Sequence, residues 1–290
     1  MRMTMSIRLH PVYSPLVIAL LVLTNTSSSY AGGWKKIERT TESEVSVLLS
    51  SSFGTVTISR GEPGNIFTAE PLSEGDHPPI NVSYSVRNRV GYLEISLGED
   101  YGDEEQKWAV HGGSWKLTFC DAIPLSFDIE LGVGKGEFDL TGLQIQDFTL
   151  TSGASEVTLS FGKENTSLIE RMSIESGVSK FSGLNLGNAN FRQFRFEGGV
   201  GTYYLDFGGN LMREADIDIE VGLGMLTLVV PSKLGARLSY DENWVSRLDC
   251  DKGFRLMEEG EYETENYVDS NGKLNIRVES GLGSVKIRRE

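Results

Sequence analysis

The chain has 290 residues, of which 39% are hydrophobic and 33 are glycine, and its formal net charge is −14. This hydrophobic content is sufficient for a packed core and excludes a wholly disordered chain. The acidic balance disfavours binding to nucleic acid or to anionic lipid head groups, because both carry negative charge. Only three histidines and two cysteines are present, so metal centres and histidine-dependent nucleophilic catalysis are poorly supplied.

Residues 1–31 have the pattern of a secretory signal peptide. Arg2 and Arg8 form a basic start, an apolar run follows at 16–23, and Ala31 ends a small-residue cleavage site. The apolar run is shorter than a membrane-spanning helix requires. We therefore expect an exported protein, periplasmic, cell-surface or secreted, with no stable membrane span after cleavage. An uncleaved N-terminal anchor is the alternative interpretation.

Residues 32–126 are expected to form an irregular N-terminal β region. A polar lead-in is followed by an alternating run at 45–58, and then by turn-rich segments that contain four prolines. Two further alternating runs, 80–86 and 93–97, flank a short Arg-Asn-Arg connection, a pattern that predicts an antiparallel hairpin.

A glycine-punctuated phrase recurs seven times and dominates residues 127–290. Each copy has a small anchor residue, with apolar residues five and three positions before it and, in most copies, four and six positions after it. Two apolar residues spaced by two on each side of a small-residue turn predict a strand, a tight corner and a second strand. The anchors are Ser52, Gly132, Gly153, Gly177, Gly199, Gly222 and Gly281. The predicted structural-turn glycines are Gly132, Gly134, Gly153, Gly177, Gly199, Gly201, Gly222, Gly224, Gly281 and Gly283.

The spacing of the phrases predicts how they assemble. From Gly132 to Gly222 the anchors follow one another at intervals of about 21 to 24 residues, a period typical of solenoids. We therefore expect an all-β protein with a right-handed, β-helix-like stack, interrupted by an insertion at 232–273. Gly136 and Gly183 replace apolar residues of the phrase, and a one-residue bulge is expected at each.

The two cysteines, Cys120 and Cys250, both lie outside the phrases. An exported chain enters a compartment in which disulfides form, so a bridge between the two is one expectation. Two separate buried thiols are the other.

Several runs carry a family resemblance: IELGVGKGEFDL, GGVGTYYLDF, IEVGLGMLTLVVPSKLG and the ending from DKGFRLMEEGEYETENY to GLGSVKI. Together they resemble the toast-rack superfamily, which includes the C-terminal domain of LiaF-like cell-envelope stress proteins and adhesin-like bacterial domains. The resemblance covers most of the exported part and is strongest from Leu125 onward. It implies a single-sheeted, β-helix-like stack in exported proteins, and it brings no catalytic residues.

Motifs that suggest small-ligand chemistry are incomplete. The run Gly132–Gly136 lacks the spacing of a nucleotide-binding loop and the helix that follows one. Tyr203 stands where a calcium-binding nonapeptide needs Asp, and its inward position in the phrase predicts core packing. The acidic run at 99–105 is interpreted as a solvated loop, and His77 as a loop residue. No cofactor and no metal site is predicted.

Outward carboxylates are the strongest candidates for chemistry. The strand pattern places Asp128 and Glu130, Glu175, and Asp216, Asp218 and Glu220 opposite the apolar positions. Stacked, they would form an acidic ladder of the kind that β-helical carbohydrate-active enzymes use, although outward polar residues are also the default for a half-buried strand. Trp244 is the surface aromatic residue that best fits stacking on a sugar.

These patterns predict a non-enzymatic, exported envelope or surface module. Its expected role is that of a rigid, adhesin-like scaffold for contact with an envelope protein or a glycan. A lyase or hydrolase that uses the outward carboxylates is the alternative, and a weak cation binder that uses the acidic face is a third possibility.

Overall fold

The computed structural model describes residues 28–29, 34–72, 80–98, 113–241 and 246–290. Within these ranges the secondary structure consists of β-strands and a single turn of 3-10 helix, Leu186–Ala189, so the predicted all-β class is confirmed. All seventeen strands belong to one hydrogen-bonded sheet. Most of the predicted signal peptide, the acidic run at 99–105, His77, His111 and Trp244 lie outside the described residues.

The strands are numbered in the order in which they occur along the chain. They are β1 (Ser28–Ser29), β2 (Lys35–Glu38), β3 (Glu44–Arg60), β4 (Asn65–Pro71), β5 (Ile80–Arg87), β6 (Val90–Leu97), β7 (Ser114–Phe119), β8 (Pro124–Asp139), β9 (Gln144–Ser160), β10 (Ile169–Leu184), β11 (Phe191–Asp206), β12 (Glu214–Val230), β13 (Gly235–Tyr240), β14 (Ser246–Cys250), β15 (Phe254–Glu258), β16 (Glu261–Thr264) and β17 (Lys273–Arg289).

Seven long strands carry the seven phrases, and we call each of them a continuous rung. They pair in parallel in the order β3, β8, β9, β10, β11, β12, β17. The pairing is in register, so equivalent positions of the phrase lie side by side; Phe148, Met172 and Phe194, for example, are neighbours. The predicted parallel stack of repeats is confirmed.

Each continuous rung bends at its anchor into two arms. In β8 the buried side chains alternate up to Ile129 and Leu131, and burial resumes only at Gly136 and Phe138. The step of five residues from Leu131 to Gly136 breaks the period of two, which lets both arms face the same core. The apolar side chains five and three positions before every anchor are buried in one continuous cluster.

The bend brings backbones of neighbouring rungs together. Gly224 has a φ of +141°, and a Cβ at that position would collide with the carbonyl oxygen of Gly201 in the next rung. An L-residue is strained at this φ and has no space for its side chain. The expected bulges at Gly136 and Gly183, in contrast, are wrong, because both residues keep the ladder register. The side chains of Phe138 and Leu186 fill the space beside these two glycines instead.

Two further rungs are split at the bend. On the free side of β3, β6 pairs with the first arm and β7 with the second. On the free side of β17, β13 and β14 pair in the same way. The strands of 32–126 therefore belong to the same sheet as the array. The domain division at 126 stays a prediction.

Antiparallel strands complete both ends of the stack. β5 and β6 form the predicted hairpin, with Asn88 and Arg89 at positive φ in its two-residue turn. β4 and β2 extend the same end beyond β7. At the other end, β16 pairs with β13 and β15 pairs with β16.

Buried asparagines close the rungs on the side opposite the bend. The Asn165 side chain donates to the carbonyl oxygens of Ile145 (2.7 Å) and Ala189 (3.0 Å), and it accepts from the Ile145 N–H (3.0 Å). Asn188 donates to the carbonyl oxygen of Phe161 at 2.8 Å. These side chains satisfy backbone groups of neighbouring rungs that the ladder does not reach.

The two cysteines lie at opposite ends of the stack. Cys120 follows β7 and is buried, whereas Cys250 ends β14 and is half-buried, and both thiols are free. Eight strand-to-strand steps of about 4.8 Å separate β7 from β14, or roughly 38 Å. A disulfide requires Cα atoms within about 7 Å, so the expected bridge between Cys120 and Cys250 is wrong, and the alternative of two separate thiols describes the structure.

Candidate functional site: a charged basin on the outer face

The outward side chains of the first arms form one surface, which we call the outer face. Because the rungs are in register, residues two, four and six positions before each anchor form three rows across the strands. The row two positions before the anchor contains Glu175, Glu197, Glu220 and Glu279 on four adjacent strands. These four glutamates form an acidic row, in which Glu197 and Glu279 were not singled out from the sequence. Thr151 separates this row from the predicted Glu130.

A concave basin of about 630 Å³ lies on the outer face toward the β13 end. Strands β11, β12, β17 and β13 supply its floor. Glu261 of β16 and Tyr267 of the turn that follows line one side. Since β16 pairs with the split rung β13, the segment predicted as an insertion provides a wall of the basin.

Arg195 lines the basin and pairs with three carboxylates. Its guanidinium contacts Glu197 at 2.5 Å, Glu220 at 3.2 Å and Asp218 at 3.3 Å. The hydrogen bond that Arg195 donates to Glu197 raises the pKa of the Arg195 guanidinium, and attraction to Glu220 and Asp218 acts in the same direction. One cation thus connects carboxylates of two adjacent strands. The side chain is itself 44% exposed, so solvent screens these pairs and each contributes little to stability.

A second network surrounds Tyr267. The Tyr267 hydroxyl donates to Asn275 Oδ1 at 2.7 Å, and Asn275 Nδ2 donates to Glu214 at 2.8 Å and to Asp216 at 3.1 Å. The Arg237 guanidinium lies 4.3 Å from the centre of the Tyr267 ring and contacts Glu263 at 2.7 Å. Burial raises the pKa of the Tyr267 hydroxyl, so it remains a hydrogen-bond donor at neutral pH.

The basin contains several carboxylates of the kind that glycoside hydrolysis uses. Glu214, Asp216 and Asp218 line it from one strand, and same-face neighbours on a strand are about 6.8 Å apart. Each of the three accepts a hydrogen bond from Asn275 or Arg195. Asp128, in contrast, lies in the same row as Asp218 but four strands away, so the structure does not bring it or Glu130 into the basin.

The other candidate residues from the sequence make contacts that are typical of structural residues. Tyr203 is fully buried against Phe196, with ring centres 5.1 Å apart. Lys135, in the glycine-rich run of β8, contacts Glu137 at 2.5 Å, and the run forms a bend within a strand. Among the described residues, no group of three or more His, Cys, Asp or Glu side chains is arranged to hold a metal ion. No helix in this part of the chain is long and apolar enough to cross a membrane.

Four residues of the basin were not predicted from the sequence: Arg195, Arg237, Tyr267 and Asn275. Arg195 and Asn275 occupy outward positions of the phrase, so an alignment of the seven copies places them on the outer face. Tyr267 lies in the turn 265–269, outside any phrase. Its contact with Arg237 depends on the antiparallel pairing of β16 with β13, which no phrase predicts.

The fold and the sequence can be compared with known proteins. Among solved structures, a protein from Clostridium sporogenes ATCC 15579 described as a "putative cell adhesion protein" is similar over 89% of this chain and 98% of its own, with 18% identity and a TM-score of 0.47. At that level of similarity its function is not transferred. No curated protein matches the chain.

A family profile gives the assignment. The profile of the N-terminal domain of toast-rack proteins (DUF2154) matches residues 26–182, which is more than half of the chain. The match includes the region before Leu125, where the sequence resemblance is weaker, and it agrees with the β-stack described above. The chain belongs to the toast-rack family.

Proposed function

We propose that this protein is a non-enzymatic, exported surface module and that it binds a glycan in the basin. The observation that carries the proposal is the set of basin side chains that hold one another in place. Tyr267, Asn275 and Arg237 present hydroxyl, amide and guanidinium groups at fixed positions, and preorganised groups of this kind lose little entropy when a polar ligand binds.

The chemistry of the basin supports a sugar ligand. Sugar hydroxyl groups both donate and accept hydrogen bonds, and the basin offers carboxylate acceptors beside amide and guanidinium donors. The signal-like segment at 1–31 supports export. The rigid register of the rungs supports a scaffold that presents the basin without rearrangement.

Binding to an oligosaccharide panel, followed by calorimetry on the best ligand, tests this proposal. We expect Arg237→Gln and Tyr267→Phe to weaken binding, because each removes a group that lines or orders the basin. Lys180→Gln is a matched control, since Lys180 pairs with Glu156 at 2.9 Å on a surface outside the basin. The absence of any oligosaccharide ligand, or equal loss of affinity in the control, would contradict the proposal.

A carbohydrate-active enzyme is the second candidate, favoured by the three carboxylates Glu214, Asp216 and Asp218 in one basin. Chromogenic hydrolase and lyase substrates distinguish the two candidates. Turnover by the wild-type chain that is abolished in Asp216→Asn and Asp218→Asn would favour the enzyme. We expect no turnover.

A further inference from the structure

A row of exposed apolar side chains follows the bend of the stack. One position after each anchor, the seven continuous rungs place an apolar residue, and these residues are in register across the sheet. We call this row the apolar ridge; it consists of Phe53, Val133, Ala154, Val178, Val200, Leu223 and Leu282. Val178 is 64% exposed, Leu282 53% and Val133 51%.

Core packing does not account for the ridge. Its side chains lie outside the arms, while the buried cluster lies between them. Adjacent strands are about 4.8 Å apart, so seven rungs make a contiguous apolar line roughly 29 Å long. Contiguous exposed apolar surface of this kind marks an interaction site more often than scattered apolar residues do.

An acidic groove of about 680 Å³ runs beside the ridge. Its floor includes the anchors Gly177, Gly199, Gly222 and Gly281, each of which directly precedes a ridge residue. The acidic residues that line it are Glu175, Glu197, Glu220, Asp241 and Glu279, and none of its described lining residues is basic.

The groove keeps unneutralised negative charge. Arg195 contacts Glu197 and Glu220, and Arg277 contacts Glu279. Within the described part of the chain, no lysine or arginine forms an ion pair with Glu175 or Asp241. A ligand that covers the groove therefore has to supply positive charge.

We propose that the apolar ridge and the acidic groove together bind an extended segment of a partner protein in which lysine or arginine alternates with aliphatic residues. Successive side chains of an extended segment point to opposite sides. One set would contact the ridge and the other the glutamates. Four rungs of the groove, separated by three strand steps, span about 14 Å, which corresponds to roughly four extended residues.

The negative charge of the groove favours a basic segment over two alternative partners, a second copy of the chain and an anionic lipid surface. A second copy of the chain would bring its own glutamate row beside the first, and like charges at an interface oppose association. An anionic lipid surface is repelled by the same carboxylates and by the net charge of −14. A basic, apolar segment satisfies both features of the surface.

The test uses a labelled octapeptide of alternating Lys and Val, measured by fluorescence anisotropy with the full chain. Peptides of alternating Lys and Ser and of alternating Glu and Val separate the apolar from the charged contribution. We expect the Lys-Val peptide to bind most tightly. The combined variant Val178→Thr, Val200→Thr and Leu223→Gln should lose about tenfold or more in affinity, since three apolar contacts are removed.

Two further variants separate the surface from general effects. Glu175→Gln should weaken binding a few-fold and reduce its dependence on salt, because one screened charge is lost. Met212→Gln is the control, since Met212 is exposed on a return segment away from the ridge, and it should bind like the wild type. Circular dichroism melting confirms that each variant is folded.

Three outcomes would overturn the proposal. The first is no preference for the Lys-Val peptide, or equal affinity in wild type and ridge variant. The second is self-association of the wild type in sedimentation experiments that the ridge variant abolishes, which would assign the ridge to a second copy. The third is ridge-dependent binding to zwitterionic or anionic vesicles, which would assign it to lipid.

Discussion

The continuous rungs and the split rungs both add two arms to the stack, but they differ in how the chain forms those arms. In a continuous rung such as β12, one strand forms both arms and the bend between them. In the split rungs, β6 with β7 and β13 with β14, two separate strands form the two arms, and each pairs in parallel with the adjacent continuous rung. The difference shows that the pairing of the arms, and not a continuous strand through the bend, is what adds a rung to the stack.

The comparison also distinguishes the strands that form most of the core from those that complete the basin. The continuous rungs supply most of the floor of the basin and a large part of the buried aromatic core. The split-rung strand β13 completes the floor with Arg237, and its partner β16 supplies a wall with Glu261. Predictions that contrast the middle of the stack with its ends therefore test this division directly.

The largest expected effect is on a central core residue. Phe148→Ala in β9 should lower the free energy of unfolding by about 3–5 kcal/mol, because the fully buried ring packs between rungs on both sides. Phe254→Ala in β15 should cost less, about 2 kcal/mol, since an end strand collapses more easily around the cavity. Urea unfolding of both variants measures the difference, and equal losses would contradict the division.

The next effect tests the bend. Gly224→Ala should lower the free energy of unfolding by about 2–4 kcal/mol, because its φ of +141° and the nearby Gly201 carbonyl both exclude a side chain. Gly64→Ala is the matched control; a Cβ at Gly64 meets nothing within 4 Å, so a change of at most about 0.5 kcal/mol is expected. If the two variants were equally stable, the close approach of rungs at the bend would be wrong.

The side opposite the bend gives a smaller effect. Asn165→Ala leaves the backbone groups of Ile145 and the Ala189 carbonyl without their buried partner, and should cost about 2–3 kcal/mol. Asn210→Ala is the comparison, because the exposed Asn210 side chain makes a surface hydrogen bond to Glu164, worth about 1 kcal/mol or less. Thermal unfolding should rank the two variants in this order, and the reverse order would sink the proposed role of Asn165.

The smallest effect concerns a split rung and depends on pH. Burial, with repulsion from Asp251 and Asp249, raises the pKa of the Cys250 thiol from 9.0 to about 11. The folded state favours the neutral thiol, so its stabilising contribution is complete below pH 9 and is lost as the pH rises from 9 toward 11. We expect Cys250→Ala to reduce the alkaline loss of stability by about 1 kcal/mol after solvent screening. Urea midpoints at pH 8 and pH 10.5 test this, and identical pH dependence in both proteins would contradict it.

The sequence predicts the continuous rungs well because their information is local. The anchor and the apolar pairs around it define arm, bend and arm within about 12 residues. The same alignment places Glu175, Glu197, Glu220 and Glu279 in one row, so this acidic row can be predicted from the sequence alone.

The split rungs and the basin wall could not be predicted from the sequence in this way. The segments 98–113 and 241–245 separate their two arms in the chain, so the phrase that identifies a rung is absent. The contact between Arg237 and Tyr267 joins two strands through a non-local antiparallel pairing. The prediction of a bridge between Cys120 and Cys250 is wrong for the same reason. The distance between the two cysteines depends on the order of the rungs in the sheet, and the sequence pattern alone does not give that order.

The order of the rungs is the central claim, and short-range cross-linking tests it most directly. On a background of Cys120→Ala and Cys250→Ala, the pair Leu48→Cys and Asp128→Cys places two exposed thiols on neighbouring strands in register. A bifunctional thiol reagent with a span of about 5 Å, one strand spacing, should link this pair. The pair Leu48→Cys and Arg277→Cys occupies equivalent positions of the first and last phrases, about 29 Å apart across six strand steps, and should remain unlinked. Efficient linkage of the second pair without the first would contradict the stack described here.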